Sequence, residues 1–472
     1  MNYLENLKKI KEKYGDPFKE KVFPKESSIR GVLDNFSENK KTTLAGRVIS
    51  KREHGKSSFA HIWDITGKIQ IYAQFNVLKE KYELFKDLDI GDIIGVKGYL
   101  FKTKTGEPTV FVEDLRLLSK CLRILPEKWH GLKDIEVKYR QRYLDLIASP
   151  DARQVFLKRI EIIEFIRDFF KKLGYKEVET PLLHLIPGGA RGTPFATYYQ
   201  AIDTQVYLRI APELYLKRLL VAGFDKIFEI NKSFRNEGIS ARHSPEFTML
   251  EAYCAYQDYE YMIKICEDLV SSLVERIHKS LRIEYQGKKI DFTPPWPRIS
   301  FVEIFEKELG VFPSDSPEVV RKKLSEKLNI SLKELSRSQI INLVEEWIER
   351  RLREEKPIFI VDFFSWMSPL AKTKKENPYV AERFELFIGG IEVANSYTEL
   401  NDSIKQRENF EAQIKEEEGV KKIDEDFLLS LEYGMPPAAG LGIGIDRLIM
   451  LLLNQASIRD VIFFPLLRPP SK

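Results

Sequence analysis

The sequence has 472 residues, of which 43% are hydrophobic and 31% are charged, and its formal net charge is +4. At roughly 100–200 residues per domain, this length predicts two to four domains, and the composition excludes wholesale disorder and fibrous proteins. A charge so close to balance gives by itself no indication of a nucleic-acid partner.

The charge is unevenly distributed along the chain. Residues 1–150 carry 29 basic and 21 acidic side chains, whereas the remainder carries 46 basic and 50 acidic ones. A basic N-terminal third favours one module that binds a polyanion and a second module that binds something else, with ordinary scatter as the alternative.

The cysteines and the apolar runs indicate the compartment. Cys121, Cys254 and Cys266 contain no CxxC pair, which excludes a disulfide framework and a zinc site and fits a reducing cytosol. No apolar run approaches the ~18 residues of a membrane span. Lys8 and Lys9 are followed by no apolar stretch, so we expect no secretory signal. We therefore expect a cytoplasmic protein without a membrane partner.

The N-terminal part of the chain predicts a small β-barrel. Residues 1–36 are expected to form an extension of one charged helix followed by irregular chain. Residues 37–122 carry five strand patterns, with a helix predicted over Leu78–Leu88, between the third and the fourth. The predicted strands are Thr42–Ser50, Ser57–Asp64, Lys68–Gln74, Asp92–Leu100 and Thr109–Leu117. This order is typical of an OB-fold, although other small barrels share the strand count.

The rest of the chain is expected to form a second, α+β domain. Residues 123–150 form a charged linker, and residues 151–472 begin with a helical apolar period that ends at Gly174. Further helices are predicted over 257–282 and, as a pair, over 317–355. We interpret the pair of helices over 317–355 as part of an insertion at about 310–356.

A glycine-rich segment lies near the C-terminus. No GxxxxGK[ST] motif occurs, and Gly440, Gly442 and Gly444 have GxGxG spacing, so a P-loop is excluded and a dinucleotide fold is only weakly indicated. We expect the glycines to let a strand and a helix pack closely. Arg447 would then project into a cleft and bind a phosphate or a purine ring. A structural packing site with a salt-bridged arginine is the alternative.

A polar hairpin is predicted between Phe228 and Glu251. Its first strand ends at Phe234, and its second begins at Glu246. Arg235 supplies bidentate donors for a phosphate, and Phe247 supplies a stacking face for a base. The hairpin therefore suits a nucleotide, unless it is simply a solvated loop.

The segment 383–402 contains four acidic side chains. Glu385 and Glu392 are separated by a glycine pair that turns the chain, so in a hairpin both carboxylates can reach one Mg²⁺ ion. Glu251 and Glu399 stand among apolar neighbours. Two such acids in a pocket favour a cationic substrate, although they could also pair with arginines.

Together these segments resemble the three signature motifs of class II aminoacyl-tRNA synthetases, and most closely the class II lysyl-tRNA synthetases. Leu173–Leu183, with Pro181 at the expected dimer interface, resembles the first motif, and RIAPELYLKRLL at Arg209–Leu220 is long and specific. The resemblance implies an antiparallel catalytic sheet flanked by helices, preceded by an OB-fold. It implies a homodimer that uses ATP and Mg²⁺ to attach lysine to tRNA(Lys).

The resemblance also implies roles for individual residues. In the ATP site, Arg235 would hold the α-phosphate, Glu237 the adenine amino group and His243 the distal phosphates, while Phe247 and Arg447 would sandwich the adenine. Arg235 and Arg447 would also be the catalytic residues, and Glu385 and Glu392 would hold Mg²⁺. The implied lysine-binding residues are Gly189, Glu213, Glu251, Tyr253, Asn395, Tyr397 and Glu399.

In the barrel, the resemblance implies an anticodon site made of Arg52, Phe59 and Gln70. The barrel aromatic residues could instead be partly structural. The sequence departs from the family pattern at two places. Arg191 is shifted relative to the arginine of the common pattern, and Asp114 stands at the position that we match to an anticodon-contacting glutamate. Two alternatives to a lysine–tRNA ligase are a paralogue that lysylates a protein or makes dinucleoside polyphosphates, and a non-catalytic RNA-binding protein on the same fold.

Overall fold

The computed structural model describes residues 3–126, 134–329, 337–351, 355–416 and 422–469. The chain divides into two compact units, Met1–Arg153 and Gln154–Lys472. The finer division at residues 36, 122 and 150 stays a prediction. Residues 127–133 of the predicted linker, and residues 330–336 and 352–354 of the predicted insertion, lie outside the described residues. Of the helices in the described ranges, none has the length and apolar character to cross a membrane.

The first unit contains a closed five-stranded barrel with strand order β1-β2-β3-β5-β4. Its strands are β1 Lys41–His54, β2 Ser57–Asp64, β3 Gly67–Gln74, β4 Ile93–Lys102 and β5 Pro108–Ser119. Its helices are α1 Tyr3–Tyr14, α2 Ile29–Asp34, α3 Phe75–Leu78, α4 Glu80–Asp87, α5 Ile135–Arg140 and α6 Arg142–Ala148. The predicted OB-fold is confirmed.

Two helical predictions for this unit are wrong in detail. The single helix expected over Leu78–Leu88 is broken at Lys79, whose φ of 50° is incompatible with a continuous α-helix. The chain before the barrel is not irregular after its first helix, because α2 forms with Ser28 as its N-cap; the Ser28 side chain accepts a hydrogen bond from the Gly31 amide.

The second unit is built on an eight-stranded sheet of order β14-β15-β16-β17-β18-β11-β10-β6. Its strands are β6 Lys176–Glu177, β10 Lys226–Phe234, β11 Glu246–Ala255, β14 Arg298–Ser300, β15 Ile358–Phe364, β16 Val380–Ile388, β17 Ile391–Thr398 and β18 Ala438–Gly444. Small sheets are formed by β7 Leu183–His184, β8 Ala196–Tyr199 and β9 Thr204–Leu208, and by β12 Arg282–Tyr285 and β13 Lys288–Asp291.

Helices flank the large sheet, as the α+β prediction requires, and that prediction is confirmed. They are α7 Pro150–Lys172, α8 Glu213–Val221, α9 Tyr259–His278, α10 Phe301–Leu309, α11 Pro317–Leu328, α12 Arg337–Arg351, α13 Ser403–Glu416, α14 Glu425–Glu432 and α15 Ile445–Leu452. The main core packs α7, α9 and α15 against one face of the central strands. The opposite face of those strands carries the polar residues described next.

Candidate functional site

Three glycines of strand β18 leave part of one sheet face without side chains. Its glycines at 440, 442 and 444 alternate with Ala439, Leu441 and Ile443, which belong to the apolar core shared with α9 and α15. Because successive residues of a strand face opposite sides, the glycines point away from those helices. The prediction that they let a strand and a helix pack closely is therefore wrong. They instead form the floor of an open surface.

The strands on either side of β18 bring polar side chains to this floor. Glu251 of β11 and Asn395 of β17 both lie opposite Gly442 in the backbone register. Tyr253 and Tyr397 lie opposite Gly440 in the same way. A single antiparallel register thus assembles residues that are far apart in the sequence, and the sequence predicted all four as parts of one site.

Three of these side chains, together with Glu213 and Glu399, form what we call the acidic pocket: Glu213, Glu251, Tyr253, Tyr397 and Glu399. The Tyr397 hydroxyl donates a hydrogen bond of 2.6 Å to Glu213 Oε1, and the Tyr253 hydroxyl donates one of 3.3 Å to Glu251 Oε2. All three glutamates are at least 94% buried. The structure therefore brings the predicted acids together in one desolvated place.

Burial changes the proton affinity of these acids. Desolvation, reinforced by the negative charges of Glu213 and Glu229, raises the pKa of Glu251 to about 8. Desolvation also raises the pKa of Glu399 to about 8, although Lys217 opposes that shift. A cation that enters the pocket would favour the ionised form of both carboxyls, because an opposite charge at close range stabilises a carboxylate.

The sequence analysis did not single out Lys217, which lies in the acidic pocket. Its Nζ is 2.7 Å from Glu213 Oε1 and 2.5 Å from Glu399 Oε2, and its side chain is fully buried. In the sequence, Lys217 follows a leucine and precedes an arginine on α8, which is the pattern of an exposed basic helix face. The spacing of four residues from Glu213 was the available signal, because residues i and i+4 of a helix are neighbours.

Gly189 approaches the acidic pocket from a loop. Its φ is +85°, and a Cβ atom at this position would lie 3.1 Å from the Cβ of Glu213. Glycine is thus required both by the backbone conformation and by the close contact. In the same loop, a Cβ at Gly192 would lie 3.0 Å from Arg235 Cδ and 3.2 Å from Glu237 Oε1. The segment around Arg191 therefore lies beside the predicted ATP residues.

The second half of the site is a cleft that we call the arginine cleft. It is lined by Arg235, Glu237, His243, Phe247 and Arg447. The Arg235 guanidinium lies over the Phe247 ring, 5.2 Å from its centroid. Asn395 and Gly442 also line this cleft, so it continues directly into the acidic pocket along the floor of β18.

Hydrogen bonds orient the cleft residues. Arg447 Nη2 lies 3.1 Å from His243 Nε2, and His243 Nδ1 lies 2.8 Å from Ser240 Oγ. Burial, together with the positive charge of Arg447, lowers the pKa of His243. The neutral imidazole can therefore accept from Arg447 at Nε2 and donate to Ser240 from Nδ1.

Glu385 and Glu392 lie on the predicted hairpin of β16 and β17, with Gly389 and Gly390 at its turn. Glu385 lies opposite Asn395, while Glu392 lies opposite Phe387 beyond a β-bulge, so both glutamates share the face of the floor. Each is paired with an arginine: Glu385 with Arg383, and Glu392 with Arg447. In the described part of the chain, no three acidic, histidine or cysteine side chains form a metal-binding group.

The ion pair between Arg159 and Asp446 anchors the elements that carry Phe247 and Arg447. Arg159 of α7 donates to Asp446 Oδ1 at 2.6 Å and to Thr248 Oγ1 at 3.2 Å, and the Thr248 amide donates to Asp446 Oδ2 at 2.7 Å. Thr248 follows Phe247, and Asp446 precedes Arg447. The sequence analysis missed Arg159 because its partners are 89 and 287 residues away.

In the barrel, the predicted anticodon residues lie on the outer face. Arg52 pairs with Phe59 in the register of β1 and β2, and Phe59 pairs with Tyr72 of β3. The rings of Phe59 and Tyr72 are 4.6 Å apart. Trp63 of β2, by contrast, is covered by Arg153, whose guanidinium lies 4.4 Å from the ring centroid.

Gln70 belongs to a hydrogen-bond network on the same face. It donates to Glu107 Oε2 at 2.9 Å and accepts from Thr109 Oγ1 at 2.9 Å, and His61 Nε2 lies 2.9 Å from Glu107 Oε1. The acid beside Gln70 is thus Glu107. Asp114, which the sequence analysis matched to an anticodon-contacting glutamate, pairs with Lys81. The parallel pairing of β3 with β5 brings Gln70 beside Glu107 and Thr109. No local sequence pattern predicts this pairing.

Comparison with known proteins finds one family match for the large sheet domain and another for the barrel. Residues 134–468 match the family described as tRNA synthetases class II (D, K and N), and residues 42–118 match the OB-fold nucleic acid binding domain. These two matches coincide with most of the second unit and with the barrel.

Curated relatives match over almost their whole length. A lysine–tRNA ligase of Carboxydothermus hydrogenoformans is 50% identical over 476 residues, which cover 99% of this chain and 97% of that protein. One from Pelotomaculum thermopropionicum is 51% identical, with 98% and 94% covered. One from Thermotoga maritima is 46% identical, with 99% and 95% covered.

The glycine floor generates a prediction about stability. A Cβ at Gly440 would lie 2.1 Å from Glu399 Oε1 and 2.6 Å from Tyr253 Cε1, whereas a Cβ at Gly442 meets no atom closer than 3.4 Å. Gly440→Ala should therefore lower the free energy of unfolding by about 1–3 kcal/mol through overpacking. Gly442→Ala is the matched control and should cost less than about 1 kcal/mol. Urea denaturation of both variants measures the difference; equal costs would contradict the close contact.

Proposed function

This chain belongs to the class II tRNA synthetases (D, K and N) and is a lysine–tRNA ligase, and we propose that its arginine cleft binds ATP and its acidic pocket binds lysine. One observation carries the proposal: buried carboxylates and partly buried arginines lie end to end on a single glycine floor. Lysine bound with its ammonium groups in the pocket directs its carboxylate towards the cleft, where the α-phosphate of ATP is held.

The chemistry then needs positioning more than acid–base catalysis. A carboxylate oxygen of lysine attacks the α-phosphorus of ATP, the bond from that phosphorus to the bridging oxygen breaks, and pyrophosphate leaves. The nucleophile is already ionised, so no protein base is required. Arg235 and Arg447 stabilise the charge on the phosphates, and Phe247 stacks on the adenine. The terminal ribose hydroxyl of tRNA next attacks the lysyl carbonyl, loses its proton and releases AMP.

Glu385 and Glu392 fit the protein share of a Mg²⁺ site. Mg²⁺ is usually held by one or two carboxylates together with substrate phosphates, and these two acids lie on the face where the phosphates would sit. The ion would neutralise phosphate charge. Arg383 and Arg447 hold the two carboxylates in place. Glu237 and His243 complete the ATP site, at the adenine and the distal phosphates.

In the acidic pocket, Glu213 and Gly189 receive the α-ammonium, while Glu251, Tyr253 and Glu399 receive the ε-ammonium. Asn395 and Tyr397 line the passage between them and fix the carboxylate end. An ion pair in a desolvated pocket is stronger than in water. A neutral amino acid would leave buried acids without a partner, which costs roughly 1–3 kcal/mol or more.

The barrel binds the anticodon of tRNA(Lys) in this proposal. Phe59 stacks on a base, Gln70 hydrogen-bonds to a base edge, and Arg52 contacts the neighbouring nucleotide. The Gln70 amide is held by Glu107 and Thr109, so it is oriented before RNA arrives. The basic excess of residues 1–150 supports an RNA partner.

We further propose a cytoplasmic homodimer. The small sheet of β7, β8 and β9 exposes large apolar side chains, and Leu182, Leu183, Leu185, Tyr198 and Tyr199 are each about half exposed or more. Exposed apolar side chains grouped on one small element are typical of an interaction surface. The segment Leu173–Leu183 with Pro181 leads into this sheet. We therefore propose that a second copy of the chain covers these apolar side chains.

An amino-acid-dependent ATP–pyrophosphate exchange assay tests the assignment. Lysine should support exchange better than any other amino acid. Glu399→Gln should raise the lysine KM about 10- to 100-fold, because a hydrogen bond to a charged group is worth about 1.5–3 kcal/mol, and should leave the ATP KM within about twofold. Stronger exchange with another amino acid, or equal changes in both KM values, would refute the assignment.

Lysine binding should become tighter as the pH rises. The pKa of Glu251 and of Glu399 is about 8 in the empty pocket, and only the ionised carboxylates pair with ammonium groups. The lysine KM should therefore fall about tenfold between pH 6.5 and 8.5, and calorimetry in two buffers should detect protons released on binding. Glu251→Gln should weaken both effects. A lysine KM that rises over this range, or an ATP KM that changes in parallel, would contradict the prediction.

Phe59→Ala separates the two modules of the ligase. Exchange should be unchanged, whereas the KM for tRNA should rise about tenfold or more, since stacking contributes about 1–3 kcal/mol per base. Trp63→Ala is a matched aromatic control, because that ring is already covered by Arg153, and it should affect the tRNA KM less. Loss of exchange in Phe59→Ala would show that the barrel acts on the first step.

A further inference from the structure

We propose that Lys217 is a positioning and specificity-determining residue that sets the charge of the acidic pocket for lysine. The proposal rests on the proposed function, in which this pocket receives the two ammonium groups of the substrate. Lys217 itself is not assigned to contact the substrate. It acts through Glu213 and Glu399, the two acids that it joins.

The position of Lys217 requires an explanation, because a buried ammonium is costly unless it is paired. Its side chain is fully buried on α8, one turn after Glu213, and its Nζ contacts Glu213 Oε1 and Glu399 Oε2. The same nitrogen lies 5.4 Å from the centroid of the Tyr397 ring. A methionine would fill this volume without a charge, so the ammonium group is the feature to be explained.

The charges around Lys217 leave a definite excess. Four buried acids lie at this end of the sheet: Glu213, Glu229, Glu251 and Glu399. Two buried cations, Arg209 and Lys217, lie among them. Arg209 pairs with Glu229 at 2.7 Å, and Lys217 is shared by Glu213 and Glu399. In the described part of the chain, Glu251 forms no ion pair. When all four acids are ionised, two negative charges therefore remain uncompensated, and free lysine carries two ammonium groups. The charged and titratable side chains of this region are Arg209, Glu213, Lys217, Glu229, Glu251, Tyr253, Tyr397 and Glu399.

Without Lys217, the pocket would hold three uncompensated acids. Glu213 and Glu399 each contact one nitrogen atom, so removal of that nitrogen leaves two carboxylates side by side. Two like charges at close range cannot both stay ionised in a buried site, and one would take up a proton. That proton would have to leave before lysine could bind. The resident ammonium thus opposes protonation of Glu399 and holds it beside Glu213, and the substrate supplies the two missing positive charges.

Lys217→Met tests this inference, with the lysine KM and the ATP KM measured by pyrophosphate exchange from pH 6 to 9. We expect the lysine KM to rise about tenfold or more at pH 7, with the ATP KM little changed. The midpoint of its pH dependence should move up by about one pH unit, so that the loss shrinks at pH 9. Lys217→Arg keeps the charge and should keep the midpoint of the unaltered protein, even if its larger side chain weakens binding.

Controls separate charge from packing and from folding. Lys323→Met removes an ion pair with Asp315 by the same substitution outside the pocket, and it should change neither KM. If Lys217→Met does not fold, Lys217→Gln provides a second neutral variant. A lysine KM that falls or stays constant, a loss that is the same at every pH, or the same midpoint shift in Lys217→Arg would overturn the inference. A Glu251→Gln variant with an unaltered lysine KM would instead refute the assignment of the pocket to lysine.

Discussion

The central constraint on this structure is that one sheet must bury an apolar face and a charged face in the same strands. On the apolar face, β11, β17 and β18 pack against α9 and α15. On the other, they carry carboxylates, tyrosines and an amide around a strand of glycines. The antiparallel register fixes which residues meet, because a shift by one residue would exchange the two faces. The whole site therefore depends on the pairing of Glu251 and Asn395 with Gly442.

An isolated buried charge costs several kcal/mol, so a face with this many charges needs partners for them. Three of the acids have partners within the protein. Glu385 pairs with Arg383, Glu392 with Arg447, and Glu399 with Lys217. Glu392 and Arg447 both line the arginine cleft. If nucleotide phosphates bind there, they compete with the Glu392 carboxylate for the Arg447 guanidinium. Nucleotide binding would then exchange one ionic partner of Arg447 for another within a preformed site.

Much of the fold could be predicted because its signals are local. The barrel strands follow from alternating β-branched and aromatic residues, and β2 begins and ends at the predicted residues. The helix break at Lys79 was not predictable, since no glycine or proline marks it. The contacts of Lys217 with Glu399 and of Glu107 with Gln70 were missed because each joins segments that are distant in the sequence. The glycines of β18 were assigned to the wrong face, because GxGxG spacing shows that they share a face but not which layer covers it.

The buried pair of Arg159 and Asp446 shows how the remaining geometry is fixed. An apolar pair of similar volume could stabilise the fold equally well or better, so stability alone does not explain a charged contact here. Arg159 also reaches Thr248, and Asp446 accepts from the Thr248 amide. Directional bonds thus tie α7, β11 and α15 at the residues next to Phe247 and Arg447. If this cleft holds a flat ring between these two side chains, as we propose, it gains from such bonds, because hydrogen bonds fix orientation and apolar contacts do not.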